Sequence, residues 1–305
     1  MNLLAATYAP MKQDLSLNTE LISTYGGYLK NNAIKGAFIN GSTGDFVSLS
    51  SQERMELMDA WSGQRSDDFK VINHVGHTSL MEAVKLAKHS AILADGIAVL
   101  APYYFTIKSV SKLVEYCKEV ANAAPELPFY YYHIPILSGA QLDMRVFVEQ
   151  AVAEIPNFQG VKFTHNDLVD FQFCIALKDR VKPELEFYFG IDEMLVNSIS
   201  LGGYGWVGST YNHLAPLYRS IYECHKIQDF EQANELQRRA IKFVQTLDAF
   251  GGFNGAGKSF MRTLGIDCGP SRSPHITLTD QQLTQAQDQM KSIQLNPDNF
   301  NTPPF

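Results

Sequence analysis

The residue with the most distinctive chemistry in this sequence is a lysine inside an apolar run. Lys162 lies in "QGVKF" (159–163), where a charged amine needs a partner or a chemical purpose. If this run is a strand, Val161 and Phe163 share one face and Lys162 lies on the other. Burial lowers the pKa of an amine and leaves a nucleophile that can form a Schiff base with a ketone. The alternative is a structural lysine whose head pairs with a buried carboxylate.

Hydroxyl groups elsewhere in the chain would complement such an amine. In "GSTG" (41–44), backbone N–H groups and the hydroxyls of Ser42 and Thr43 can hold the carboxylate of a keto acid. The phenol of Tyr132, in "FYYYH", can carry the protons that imine formation requires. The alternatives are an ordinary turn at 41–44 and an aromatic core residue at 132.

Two carboxylates follow another apolar run, "EFYFG" (186–190). Asp192 and Glu193 could accept hydrogen bonds from a polyol substrate. They could equally be acids at a helix N-terminus, which the helix dipole favours. Both interpretations can hold at once.

Histidines raise the possibility of a metal site. His74 and His77 in "HVGH" follow a β-rich run, and a zinc-dependent aldolase or hydrolase would use such histidines. The spacing lacks the i, i+4 face of a helical zinc site, and no further ligands are apparent, so we expect no metal. We expect His133 and His165 to be hydrogen-bonded structural residues.

The stretch "GGFNGAGKS" (251–259) fits the spacing of a phosphate-binding P-loop that ends in Lys258. A P-loop must leave a strand and enter a helix, whereas the preceding 20 or so residues have helical periodicity. We therefore predict no nucleotide binding and interpret the glycines as a helix stop and turn. These glycines are Gly251, Gly252, Gly255 and Gly257.

The residues that could do chemistry are spread along a regular alternation of elements. Eight β-rich runs are each followed by a stretch of helical spacing. The runs are 3–8, 36–40, 70–75, 96–100, 129–133, 159–163, 186–190 and 204–208. Eight βα units predict an α/β protein with a (β/α)8 TIM barrel, whose C-terminal strand ends carry the active site. The apolar strands end near 208, so we predict a barrel core over 1–210 and additional C-terminal helices over 211–305 in the same single domain.

Composition limits the classes of partner. The chain has 305 residues, a net charge of −7 and no cluster of Lys and Arg, which argues against nucleic acid or an anionic membrane as a partner. The N-terminus does not resemble a signal peptide, and no apolar run is long enough to span a membrane. The four cysteines form no CxxC pair and predict reduced thiols in a cytoplasmic protein.

Five segments taken together resemble one known family. They are "GSTGD", "YYHIP", "GVKFT", "FGIDE" and "GSTYN", in this order and spacing. They are similar to the N-acetylneuraminate lyase branch of the dihydrodipicolinate synthase superfamily, over roughly 3–265. The resemblance implies a (β/α)8 barrel with C-terminal helices, a homotetramer, and a class I aldolase that needs no metal or cofactor. Its small-molecule reaction would be reversible cleavage of N-acetylneuraminate to N-acetylmannosamine and pyruvate.

The resemblance also implies roles for particular residues. Lys162 would form the Schiff base with pyruvate and Tyr132 would transfer protons, while Ser42 and Thr43 would hold the pyruvate carboxylate. Contacts to the sugar-derived part of the substrate would come from Thr164, Gly190, Asp192, Glu193 and Ser209. Ala6 would line the pocket, and Tyr104 would reach the site of a neighbouring subunit.

Departures from the wider superfamily bear on the substrate. Asp45 stands where Glu is usual in "GSTGD", and we expect little effect from a chain one methylene shorter. The common "YNxP" motif here reads Tyr132-His133-Ile134-Pro135, with His133 in place of Asn, as in the animal-type branch. Leu137, after Ile136, stands where the dihydrodipicolinate synthases carry an arginine for a dicarboxylate product.

Other functions remain open at this point. A sister aldolase would keep the same amine and carboxylate clamp but cleave another 2-keto-3-deoxy sugar acid. A catalytically silent protein would bind keto acids on the same barrel without forming an adduct. A metal-dependent hydrolase would use His74 and His77, and an ATPase would use Lys258.

Overall fold

Eight parallel strands close into a barrel in the computed structural model, which describes residues 1–293. The strands are β1 (Leu3–Ala6), β2 (Gly36–Ile39), β3 (Lys70–His74), β4 (Gly96–Leu100), β5 (Phe129–His133), β6 (Phe158–Phe163), β7 (Glu186–Phe189) and β8 (Gly205–Gly208). Each strand pairs with the next, and β1 also pairs with β8. All eight predicted strands are confirmed, with ends that differ by one or two residues.

Helices connect successive strands and cover the outside of the barrel. They are α1 (Leu21–Asn31), α2 (Ser51–Ser62), α3 (Leu80–Ser90), α4 (Val110–Ala121), α5 (Pro135–Ser138), α6 (Met144–Glu154), α7 (Leu168–Val181) and α8 (Leu195–Ile199). Several begin at side-chain caps, as at Ser50, whose hydroxyl accepts from Glu53 N–H in a capping box. Within the described residues, no helix combines the length and apolar character needed to cross a membrane.

The strands separate two apolar layers. Val161 and Phe163 belong to the outer layer between the strands and the helices. Lys162 points the other way, and its register partners on the adjacent strands, Tyr132 and Tyr188, line the barrel interior. The predicted alternation in β6 is confirmed, so the lysine lies inside the barrel near the C-terminal ends of the strands.

Tyrosines close the opposite, N-terminal end of the barrel. Glu186 is the first residue of β7, and its carboxylate accepts hydrogen bonds from the phenols of Tyr130, at 2.7 Å, and Tyr188, at 3.2 Å. Leu4 and Ile72 fill the interior around these rings. This end of the interior is therefore occupied by side chains.

Four further helices follow the barrel: α9 (Tyr211–Lys226), α10 (Phe230–Asp248), α11 (Phe253–Phe260) and α12 (Asp280–Ser292). The buried Asn212 ties α9 to the barrel, because its amide donates to Ala6 O at 2.7 Å and accepts from the Tyr25 hydroxyl at 2.5 Å. The helical character predicted after 210 is confirmed as far as 293; positions 294–305 lie outside the described residues. The assignment of all these helices to one domain stays a prediction.

The P-loop-like stretch begins in the turn after α10 and continues into α11. It follows α10 rather than a strand, and Gly251 and Gly252 adopt φ of 108° and 115° in the intervening turn. The predicted helix stop is confirmed at Gly251 and Gly252. The prediction that Gly255 and Gly257 are also turn residues is wrong. They lie inside α11, where the absence of a side chain at Gly255 admits the backbone of Ile276. Lys258 is buried and donates to Pro270 O at 2.7 Å.

Gly160 gives a stability prediction for the strand that carries Lys162. A Cβ at this position would overlap the carbonyl of Glu186 on β7. We expect Gly160→Ala to destabilise the protein by about 2–3 kcal/mol, because the neighbouring backbone must shift. The matched change Gly27→Ala, in α1 with open space around it, should stabilise by up to about 1 kcal/mol. Urea unfolding measures both changes, and equal stability of the two variants would contradict the prediction.

Candidate active site

The Lys162 amine lies among aromatic rings inside the barrel. Its Nζ is 3.9 Å from the ring centroid of Tyr132 and 4.1 Å from that of Phe38. Only 5% of the residue is exposed. Burial lowers the pKa of Lys162 to about 7, and the negative charge of Asp192 opposes this shift. Much of the amine is therefore neutral and nucleophilic at physiological pH.

The Tyr132 phenol connects this amine to the loop after β2. Its hydroxyl lies 3.4 Å from Ser42 Oγ. Burial raises the pKa of Tyr132 to about 12, and the nearby hydroxyls of Ser42 and Thr164 oppose the rise. The phenol thus stays protonated at neutral pH and can pass a proton along this short chain of hydroxyl groups.

The loop carrying Ser42 and Thr43 has a constrained backbone. Left-handed residues stand on either side of it, Asn40 at φ 56° and Asp45 at φ 51°. The Asn40 amide donates to Arg54 O at 3.0 Å and to an Asn73 oxygen at 2.8 Å. Such conformations persist only where surrounding contacts hold them, and they concentrate at functional sites. Both hydroxyl residues line a cavity of about 510 Å³ at the mouth of the barrel.

Asp192 lies in a short 3-10 turn after β7 and is held by the loop that follows β8. Its Oδ2 accepts from Thr210 N–H at 2.9 Å and from Thr210 Oγ1 at 2.6 Å. Burial, with the nearby Glu193, raises the pKa of Asp192 to about 6. Any side chain at Gly208 would overlap the Asp192 carboxylate. The second oxygen, Oδ1, has no hydrogen-bond partner among the residues that the structure describes.

The other predicted substrate contacts lie around the same opening. Thr164 immediately follows β6, and the missing side chain of Gly190 leaves room for its hydroxyl. Ala6 is the last residue of β1 and belongs to the interior cluster. Glu193 is half-buried beside Asp192, and Ser209 is half-buried directly after β8. These residues thus lie at the C-terminal ends of their strands, and their contact with substrate stays a prediction.

Tyr104 is the exception. It is 88% exposed and has φ of 76°, and its ring centroid lies 5.0 Å from that of Phe105. So exposed a ring is not part of the interior of its own barrel. A role in the site of a neighbouring subunit stays a prediction.

The histidines form no metal centre within the described chain. His74 uses both ring nitrogens on the backbone: Nδ1 pairs with Asn40 O at 2.8 Å, and Nε2 accepts from Leu100 N–H at 3.3 Å. His77 Nδ1 accepts from Ser79 N–H at 2.9 Å. No group of three or more His, Cys, Asp or Glu in residues 1–293 has metal-binding geometry.

One expectation about histidine is wrong. His165 is hydrogen-bonded, through Nδ1 to the Asn166 side chain at 2.9 Å, as predicted. His133, by contrast, has a buried Nδ1 with no partner in the described chain, and its ring packs on Phe163. Burial lowers the pKa of His133 to about 3, so it is a neutral packing residue.

Three residues of the site are missing from the sequence-based interpretation. Phe38 forms a wall beside the amine, Thr210 holds Asp192, and Gly208 leaves space for that carboxylate. Alternation in the β2 run places Phe38 on the interior face, so this signal was available. The partnership of Thr210 with Asp192 joins loops after different strands and has no local sequence signal.

The charge of Asp192 gives a prediction for the amine. Because the carboxylate raises the pKa of Lys162, Asp192→Asn should lower it further. The Asn side-chain oxygen can still accept from Thr210, so the local geometry is preserved. In borohydride trapping with pyruvate, the parent rate should rise with pH through about 7. The variant curve should lie at lower pH, and an unshifted or upward-shifted curve would contradict this electrostatic coupling.

Both the sequence and the fold are similar to those of known proteins. Residues 1–293 match the model of the Dihydrodipicolinate synthetase family. The N-acetylneuraminate lyase of Pongo abelii is 39% identical over 299 residues, covering 95% of this chain and 92% of the relative. The Homo sapiens N-acetylneuraminate lyase is 38% identical with the same coverage. The structure of the Proteus mirabilis N-acetylneuraminate lyase superposes with a TM-score of 0.91 at 32% identity, covering 96% of this chain and 98% of that one.

Proposed function

This chain belongs to the Dihydrodipicolinate synthetase family, and we propose that it is a class I aldolase that reversibly cleaves N-acetylneuraminate to N-acetylmannosamine and pyruvate. The observation that carries this proposal is the Lys162 amine. It is buried, its pKa is lowered to about 7, and it lies beside the Tyr132 phenol. The curated relatives named N-acetylneuraminate lyase support the choice of substrate.

The first step is capture of the open-chain sugar acid. The neutral Nζ of Lys162 attacks the C2 keto carbon, and loss of water gives a protonated imine. Ser42 and Thr43 hold the adjacent carboxylate with their hydroxyls and backbone N–H groups. Tyr132 supplies and removes the protons that the carbinolamine intermediate needs.

Cleavage then uses the imine as an electron sink. Tyr132, having given its own proton to the hydroxyl that leaves the carbinolamine, removes the proton of the C4 hydroxyl, alone or with the substrate carboxylate. The electron pair of that O–H bond forms the second bond of the aldehyde carbonyl, and the C3–C4 bonding pair moves onto the pyruvate half as an enamine. Protonation at C3 and hydrolysis of the imine by water release pyruvate and regenerate Lys162. The departing sugar half contacts Thr164, Gly190, Asp192, Glu193 and Ser209.

The assembly and location are part of the same proposal. The chain functions as a homotetramer in the cytoplasm, and the exposed Tyr104 of one subunit reaches the site of its neighbour. The exposed ring and left-handed backbone of Tyr104 support this arrangement. The reaction uses the protein's own amine and needs no metal or cofactor.

Borohydride trapping tests the chemistry. Treating the protein with pyruvate and borohydride should add the mass of one reduced pyruvate, and peptide mapping should place it on Lys162. An unchanged mass would indicate a protein that only binds keto acids. Preference for an unacetylated 2-keto-3-deoxy hexonate over N-acetylneuraminate in a cleavage assay would favour the sister aldolase.

A further inference from the structure

Asn254, in the C-terminal part of the chain, contacts the loop of Ser42 and Thr43, which holds the substrate carboxylate in the proposed function. The Asn254 amide Nδ2 lies 3.3 Å from Ser42 O and 3.2 Å from His275 Nε2. His275 Nε2 is in turn 3.5 Å from Asp45 Oδ1. The contacts to Ser42 and Asp45 each join positions more than 200 residues apart, and neither Asn254 nor His275 has a role in the chemistry described above.

The segment carrying His275 is anchored independently of this contact. The Arg272 guanidinium donates to Leu15 O at 2.8 Å and to Ser48 O at 2.7 Å, and it pairs with the Glu53 carboxylate. Gly255 in α11 packs directly on the backbone of Ile276. His275 and Asn254 therefore present fixed groups to the loop.

The geometry of one peptide unit explains what this contact does. Ser42 O accepts from Asp45 N–H at 3.0 Å and from the Asn254 amide. In a planar trans peptide, the carbonyl of Ser42 and the N–H of Thr43 point in opposite directions. Fixing the carbonyl toward Asn254 therefore fixes the direction of the Thr43 N–H, one of the groups that hold the substrate carboxylate.

We propose that Asn254 and His275 are positioning residues, which orient the peptide between Ser42 and Thr43 for the carboxylate of the keto acid. This inference rests on the proposed function, because it assigns the residues to the same pyruvate site.

The Asn254 amide has enough hydrogens for both of its contacts. Its Nδ2 carries two, so it can donate one to Ser42 O and the other to His275 Nε2. The bond to His275 thus holds the amide in the orientation that meets the Ser42 carbonyl.

Pyruvate trapping by borohydride measures the effect directly. At pH 8, Asn254→Ala and His275→Ala should raise the half-saturating pyruvate concentration about three- to tenfold, the value of one lost hydrogen bond. The maximal trapping rate should change less than about twofold on the same scale. His275→Gln keeps a side-chain acceptor for the Asn254 amide, so its half-saturating pyruvate concentration should lie closer to the parent value than that of His275→Ala.

A matched control is available on the outer helices. His89 pairs with Asp59 at 3.0 Å and is also partly exposed, so His89→Ala should leave the half-saturating pyruvate concentration at the parent value. Thermal unfolding of each variant verifies that it is folded. Unchanged half-saturation in both Asn254→Ala and His275→Ala would overturn the inference alone. A parent protein that forms no adduct would overturn the proposed function and this inference with it.

Discussion

Lys162→Met should lower the rate of N-acetylneuraminate cleavage by at least about four orders of magnitude. Methionine fills a similar volume between Phe38 and Tyr132 but has no amine to form the imine. No other group in the site offers a neutral nucleophile at the same place, so the electron sink is lost entirely. A coupled assay of released pyruvate measures the rate, and borohydride treatment should leave the variant's mass unchanged.

The same variant should be more stable than the parent. The pKa of Lys162 lies at about 7 in the folded protein against an ordinary value of 10.5, because burial penalises the ammonium form. Between these values the unfolded chain binds more protons, so the stability of the parent rises with pH across this window. The penalty is complete below pH 7, where Lys162→Met should gain about 1–3 kcal/mol, and the gain should shrink toward pH 10.

A second buried lysine gives the matched control. Burial also lowers the pKa of Lys258, to about 8, but its Nζ is held by Pro270 O outside the barrel interior. Lys258→Met should still form the pyruvate adduct, and nucleotide binding is expected in neither the parent nor the variant. Cleavage at the parent rate by folded Lys162→Met or Lys162→Arg would refute the mechanism, as would an adduct mapped to Lys258.

Tyr132→Phe should lower kcat about 10²- to 10⁴-fold, the contribution of positioned proton transfer. Its phenol is the hydroxyl that links Ser42 to the neighbourhood of the amine. The ring remains in place, so pyruvate should still bind and KM should change much less. Steady-state kinetics with N-acetylneuraminate measure both constants, and single-turnover trapping reports slower imine formation.

Tyr130→Phe is the control for Tyr132→Phe, because it removes a phenol hydroxyl that takes no part in the proposed proton transfer. Tyr130 lies on the same strand and the same interior face, but its hydroxyl donates to Glu186 at the closed end of the barrel. Removing that bond should cost about 1 kcal/mol of stability and leave kcat close to the parent value. Equal kcat losses in the two variants would show that Tyr132 acts through packing alone.

The barrel and its reactive amine were predictable from local patterns. Alternation in short β-rich runs identified all eight strands and placed Lys162 opposite Val161 and Phe163. These properties depend on neighbours within a few residues, so the sequence displays them directly. The five segments that resemble the family then located the loops around the amine.

Contacts between distant segments were not predictable in the same way. The bond from Thr210 to Asp192 depends on how two loops pack, and the contact from Asn254 to Ser42 spans 212 positions. The glycines of α11 illustrate the limit. Gly255 suggested a turn by its residue type, but it is needed for close packing on Ile276 inside a helix. Tertiary packing overrides a local preference here.

The tyrosines gathered on Glu186 fill the interior on the N-terminal side of Lys162, so the amine faces the C-terminal side in the part of the barrel that the structure describes. In the proposed mechanism pyruvate stays bonded to Lys162 after the C3–C4 bond breaks, whereas the aldehyde half is then held by no covalent bond. The two products must therefore depart in a fixed sequence, the aldehyde first and the keto acid last. In the synthetic direction the order reverses, so pyruvate forms its imine with Lys162 before the sugar aldehyde binds.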